Sequence, residues 1–180
     1  SYGVLHHVKD VDIALRNLND LLTDNGVLAG MVYSKSGRHN KYAFKKVLAN
    51  LGIIEPSAEN VRLVKEMINA SIPGSMLYDL YFKKGFYDIP EGHIADDLLH
   101  PYDHPYEPSE WREVLYSNGF SMLGICPSGP CHWDFERSFS KLPDEITNRF
   151  DQLNTEHQWD IVNAIHPDVI DRIEFVACKR

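Results

Sequence analysis

Cysteine and positive charge are both scarce in this chain. Of its 180 residues three are cysteine: Cys126, Cys131 and Cys178. The count is odd, and no CxxC pair or zinc-ribbon spacing occurs, so nothing signals a disulfide framework or a structural zinc site. Reduced thiols in a cytoplasmic protein are the expectation. Cys126 and Cys131 flank "PSGP", but spacing alone does not supply the geometry that a bridge needs. Lys and Arg number 18 against 26 Asp and Glu, a formal net charge of −8. That argues against nucleic acid as a partner, because neutralising a phosphate backbone needs clustered cations. No apolar run reaches the roughly 18 residues of a membrane span, and no signal-peptide pattern is visible. Internal repeats and low-complexity tracts are also missing.

What is present is an ordinary globular composition, 43% apolar and 24% charged, in a chain long enough to bury a core as one domain. The nearest thing to a basic patch is "SKSGRHNKYAFKK", with Lys35, Arg38, Lys41, Lys45 and Lys46 among aromatics. It reads first as a solvated helix face, and second as an anion site.

Hydrophobic spacing places the elements. Leu15, Leu18 and Leu22, with Ile13 and Leu21 beside them, make a helical stripe over 10–23. Asp10 or Asp12 can cap its start, and Asp24-Asn25-Gly26 can end it through positive φ. "VLAGMVYS" (27–34) is apolar throughout and reads as a strand buried on both faces within a mostly parallel sheet. A polar helical stretch follows. Its segments are expected at 42–51, at 58–70 with Ser57 as cap and Val61, Val64 and Ile68 inward, and at 75–83. Residues 85–93 read as a loop, and Pro101, Pro105 and Pro108 as holding the next segment extended. Ser109 is the expected cap of a helix that packs Trp111, Val114 and Leu115 and ends at Asn118-Gly119. "FSMLGICPSG" reads as a strand and 143–165 as one helix. "DRIEFVACKR" alternates Ile173, Phe175 and Ala177 with polar partners, which suits a final strand in antiparallel pairing. The class is α/β.

"GVLHHVKDVDIALRNLNDLLTDNGVLAGMVYS" resembles the middle of a class I S-adenosylmethionine-dependent methyltransferase. In that fold the fourth strand ends in a GVLHH-like turn, a helix follows, and a Gly turn leads into the fifth strand. "DDLLHPYDHPYEPSEWREVLYSNGF" is similar to the downstream part of one bacterial branch of the superfamily. The resemblance implies a partial Rossmann-like sheet, with strands equivalent to the fifth to seventh and a helical insert at about 38–99, in a single truncated methyltransferase-like domain over 1–180. It implies S-adenosylmethionine as cofactor of the full-length parent. It also implies that the parts holding the cofactor, an acidic Gly-rich loop and a ribose-binding acid, lie outside this chain. No G-x-G-x-x-G-like run follows a strand here; "GICPSGP" is broken by proline. An apolar strand at 27–33 without its neighbours exposes an edge that must pair or be covered, by a second copy, by a rearranged segment or by the absent half. A non-catalytic binding or dimerisation module is the alternative to an enzyme.

The candidate residues follow from position and resemblance. By resemblance Ser1, Tyr2 and His6 lie on the cofactor side, and His7 beside them faces the substrate. Packing against the following helix is the competing role for either histidine. Tyr33, Ser34 and Arg38 stand at the carboxyl end of the central strand, where open α/β sheets place ligands. There Tyr33 can orient a substrate and Arg38 can pair with a carboxylate or phosphate; a solvated loop is the alternative. His100, Tyr102 and Tyr106 of "HPYDHPY" read as acceptor-facing, or as a Pro-stiffened structural loop. A metal triad of His100, Asp103 and His104 is disfavoured, because prolines interrupt the segment and usual triads draw on separated elements. Cys131-His132 lacks an orienting acid for nucleophilic catalysis. Its surroundings read as a surface loop anchored by Trp133 and Phe135. A small-molecule acceptor is the expected partner, and no catalytic residue is identified.

Overall fold

The computed structural model describes residues 1–83, 85–86, 88–125, 139, 141–166 and 171–180. The expectations for Cys126, Cys131-His132, Trp133 and Phe135 lie outside the described residues. The chain divides into two compact units, one of Ser1–Arg38 and His104–Arg180, the other of His39–Asp103.

The first unit is α/β. A single tight helical turn, Leu5–His7, precedes α1 (Val11–Leu21), and β1 follows (Val27–Tyr33). After the second unit come α6 (Pro108–Ser117), β2 (Phe120–Ile125), α7 (Asp144–Asp151), α8 (Thr155–Ile165) and β3 (Arg172–Lys179). The sheet order is β1-β3-β2, so the last strand lies in the middle and runs antiparallel to both neighbours. Its alternation is visible in the burial: Ile173, Phe175 and Ala177 point into the core while Glu174 and Val176 do not. That face meets Leu15 of α1, Trp111 and Leu115 of α6, Leu28 and Val32 of β1, and Phe120 of β2. Trp111 sets an edge against Phe175, ring centroids 5.2 Å apart. Each large side chain buried in this way contributes about 1.5–3 kcal/mol.

Several local expectations are corrected. The β1 run is apolar but not buried on both faces: Val27 is 53% exposed, and burial alternates along the strand. It pairs antiparallel with β3 instead of sitting inside a parallel sheet, and hydropathy cannot distinguish small apolar residues on an open face from buried ones. Ile13 and Leu21 flank the α1 stripe but are exposed. Neither Asn25 nor Gly26 has positive φ. Gly26 is needed for space, since a Cβ there would lie 2.8 Å from Leu22 Cδ2. α6 is capped by Glu107, not Ser109: Glu107 and Glu110 form a reciprocal box with Pro108 in the first turn. The Ser109 N–H donates instead to Asp160 Oδ1, at 2.9 Å. The expected late helix is two helices, because Asn154 caps α8 by accepting from the His157 N–H.

The second unit is helical: α2 (His39–Asn50), α3 (Ala58–Asn69), α4 (Met76–Tyr81) and α5 (Glu91–Leu99). Ser57 caps α3 and Ser75 caps α4. Val61, Val64 and Ile68 face inward and join Phe44, Leu48, Tyr81, Ile94, Leu98 and Leu99 in one core. α5 begins inside the segment read as a loop and continues into the one read as extended. Pro90 is its N-cap residue, and proline is tolerated at a helix start, where no N–H partner is lost. Buried Asp97 is held by Lys41 Nζ at 2.7 Å.

Gly30 tests the sheet. A Cβ there would lie 2.7 Å from both Phe175 Cζ and the Ser1 carbonyl. Gly30→Ala is expected to cost about 1–3 kcal/mol by overpacking, read as a lower denaturant midpoint. Unchanged stability would mean that Phe175 does not pack across β1.

Candidate functional site

The site begins where two stretches of chain run side by side. The Ser1 amine donates to the Ala29 carbonyl (2.9 Å), the Met31 N–H donates to the Ser1 carbonyl (2.9 Å), and Tyr2 bridges Met31 in parallel register. Residues 1–3 therefore lie parallel to β1 and cover part of its outer edge. Beyond them the Leu5–His7 turn reaches the carboxyl end of β1. There residues 104–106 tie the two stretches together. The His104 N–H donates to the His6 carbonyl, the Tyr106 N–H to the Tyr33 carbonyl, and the Lys35 N–H to the Tyr106 carbonyl, all at 2.9–3.0 Å.

Three side chains stack at this junction. The His6 ring, fully buried, lies 3.7 Å from the Tyr33 ring centroid with a 33° tilt. The Arg38 guanidinium carbon lies 3.4 Å from the same centroid. Two groups this close cannot share one face of a ring, so His6 and Arg38 occupy opposite faces. Arg38 is only 4% exposed, and a desolvated cation over an aromatic face is worth about 2 kcal/mol. His7 adds a ring 4.2 Å from His6 and edge-on to Tyr33 at 5.3 Å.

The turn that carries Arg38 is fixed from beneath. The Ser34 hydroxyl accepts from the Gly37 N–H (2.8 Å) and from Asn163 Nδ2 (2.8 Å), and neither Ser34 nor Asn163 has exposed surface. The Ser34 N–H donates to the Asp171 carbonyl just before β3. Sequence reasoning missed Asn163 altogether. It lies on α8, far along the chain, and a lone Asn in an amphipathic helix gives no local signal.

Charge lies to one side. Lys35 pairs with Glu110 at 2.9 Å, and the Ser36 hydroxyl donates to Glu107 at 2.9 Å. Burial pushes Glu107 above the usual carboxylate range; the Ser36 bond and Lys35 oppose this, while Asp160 and Glu110 add to it. Burial also acts to raise Glu110, but the Glu107 backbone N–H and Lys35 outweigh it and hold Glu110 below its usual value. Burial, with the charges of Asp12 and Glu110, raises the Tyr106 phenol.

His6, His7, Tyr33 and Arg38 are thus brought together, with the Tyr106 backbone among them. The Tyr106 ring turns to the core and packs on Trp111, centroids 4.8 Å apart. Ser1 and Tyr2 lie beside β1, with Tyr2 60% exposed. His100 and Tyr102 belong to the second unit. There the Tyr102 N–H donates to His100 Nδ1 at 3.2 Å, and the Tyr102 ring is 40% exposed. The Asp103 carboxylate is occupied by the Tyr42 hydroxyl (2.8 Å) and by Lys45 (2.9 Å).

S-adenosylmethionine requires acceptors for its ribose hydroxyls and a cradle for its nucleoside. Around Ser1, Tyr2 and His6 the structure offers an amine already bonded to Ala29, an exposed phenol and an imidazole with no free surface. These residues do not fit the cofactor by themselves.

No family model matches the chain. The uncharacterized protein syc1184_c of Synechococcus sp. is 23% identical over 170 residues, which are 93% of this chain and 40% of that protein. The structure of PKMT2 from Rickettsia typhi matches 99% of this chain and 34% of its own, with a TM-score of 0.66 at 15% identity. Its complex with AdoHcy matches with the same TM-score and coverage at 16% identity. The likeness is one of fold: this chain shares an α/β architecture with the matched third of PKMT2. It spans well under half the length of these relatives. Among the described residues no helix is long and apolar enough to cross a membrane.

The raised Glu107 gives a signed pH prediction. A carboxyl with a raised folded-state pKa favours the native state only when protonated, so stability falls as pH rises from the ordinary value through the raised one. Glu107→Gln keeps an acceptor for Ser36 and removes the charge. Its melting temperature relative to the parent chain is expected to rise as pH rises through the window just above 4.5. A difference that stays flat with pH, or falls, would contradict the assignment.

Proposed function

We propose that this chain is the carboxyl-terminal part of an S-adenosylmethionine-dependent methyltransferase of unknown acceptor, inactive by itself. The observation that carries the reading is the junction at the carboxyl end of β1. Residues 1–3 run parallel to β1, as a preceding parallel strand would, and both lead into the His6–Tyr33–Arg38 stack at the end where open α/β sheets bind ligands. On this reading β1, β2 and β3 are the fifth, sixth and seventh strands. The second unit, His39–Asp103, is then the helical insert in a single domain. The fold likeness to PKMT2, solved with AdoHcy, supports the methyltransferase lineage.

The roles divide by chemistry. Methyl transfer is an in-line displacement in which positioning supplies most of the acceleration. S-adenosylmethionine supplies the methyl group when bound. Residues 1–7 border its place, while the remainder of its holder comes from outside the chain. Tyr33 and His7 present aromatic edges to an acceptor, and Arg38, fixed by the Ser34–Asn163 pair, sets a positive charge against its acidic or carbonyl groups. Tyr106 braces this junction from the core side, with its ring packed on Trp111. A cytoplasmic location and a small-molecule acceptor fit the composition, and the absent half or a second copy covers what residues 1–3 leave of the sheet edge.

A non-catalytic binding or dimerisation module is the second reading. It is favoured by the edge of β1 being paired within the chain itself, at Ala29 and Met31 by residues 1–3 and at Tyr33 by Tyr106. Calorimetric titration separates the two. The 180 residues are expected to show no binding of S-adenosylmethionine at micromolar concentration, equivalent to about 8 kcal/mol. The same chain extended by its natural upstream reading frame is expected to bind it. Micromolar binding by the 180 residues would overturn the division of the site, and no binding by the extended chain would favour the module.

A further inference from the structure

The second unit has a hollow of about 340 Å³ on its own surface, within the size range of small-molecule pockets. Leu98 and Leu99, at the end of α5, form its floor, and Ile53, Ile54 and Pro101 stand around it. Ile54 is 61% exposed, so a concave apolar surface remains open to solvent.

The polar side of the hollow is held in place. Asp103 accepts from the Tyr42 hydroxyl (2.8 Å) and from Lys45 Nζ (2.9 Å), and the His100 carbonyl accepts from Lys45 at 3.4 Å. An ammonium has three N–H groups, so these contacts leave Lys45 one to offer a ligand. Lys45 and Asp103 neutralise each other as a pair, and the exposed Lys46 beside them then sets the sign of the rim. Every ionisable residue that lines the hollow is Lys, His or Tyr. In a chain of net charge −8, this is a local reversal.

We propose that the hollow binds a free small-molecule carboxylate with an apolar body. The body lies on Leu98, Leu99 and Ile54, and the carboxylate meets Lys46 and the remaining Lys45 N–H through charge-assisted hydrogen bonds. The site stands on the second unit alone and does not depend on the methyltransferase reading.

Octanoate is the probe, with octanol and octylamine as controls of equal chain length, titrated into the 180-residue chain by calorimetry or by amide shifts. Octanoate is expected to saturate with a dissociation constant on the order of millimolar or tighter, the scale allowed by its size. Octanol should bind about tenfold more weakly, the effect of one charge-assisted bond. Lys46→Gln should weaken octanoate by a similar factor. Ala49→Phe, on the exposed side of α2 within the hollow, should abolish its binding, with helix content and melting temperature unchanged in both variants. Equal binding of octanoate and octanol, no octanoate saturation by ~10 mM, or binding unaffected by a folded Ala49→Phe variant would each overturn the proposal.

Discussion

The first unit depends on one strand pairing made last in the chain. β3 is the only strand in contact with both others among the described residues. Its pairings join the carboxyl terminus to β1, as in Val27 with Cys178, and to β2, as in Phe120 with Lys179. Contacts of such sequence separation carry a large loop-closure cost before they return anything. That cost is offset by the apolar face they create. Phe175 meets Trp111 edge-on, and Ile173 and Ala177 close the same core. Without β3, β1 and β2 would have no bonded neighbour in common, and the α1 and α6 stripes would have no sheet to cover.

The site inherits its geometry from that pairing. Tyr33 pairs with Arg172 at the start of β3, and the next residue, Ser34, donates to the Asp171 carbonyl. The carboxyl end of β1 is therefore fixed at the point where the chain enters β3. Ser34 then receives Asn163 from α8, the Gly37 N–H closes the turn, and Arg38 comes over the Tyr33 ring. His6 completes the stack because residues 1–3 follow β1 in parallel. The result is a preorganised cation and aromatic group at a strand end. Held in this way, the group keeps little side-chain entropy.

How much of this was legible in the sequence varied with the range of the interaction. α1 and α3 were legible because their apolar spacing and their caps, Asp10 and Ser57, lie within a few residues of one another. The antiparallel character of β3 was legible from its alternation. α5 was not, since Pro101, Pro105 and Pro108 suggested extended chain while Pro90 was in fact opening a helix. The antiparallel setting of β1 was hidden by an all-apolar run that leaves Val27 and Ala29 on an open face. At the candidate site, the meeting of His6, His7, Tyr33 and Arg38 is legible because each stands at or near the strand end. Asn163 could not, since its partner is 129 residues away. The Glu107 cap is masked in the sequence by Ser109, a better cap by residue type two places on.

Native-state hydrogen exchange tests the central claim, that the last strand holds the first unit together. The amides of Ile173 to Ala177 are expected to be among the slowest in the first unit and to exchange together with those of Leu28 to Val32, at a free energy close to that of global unfolding. The amides of α7, which has no buried residue, should exchange faster through local opening. β3 amides that exchange as fast as those of α7, while Leu28 to Val32 stay protected, would contradict it.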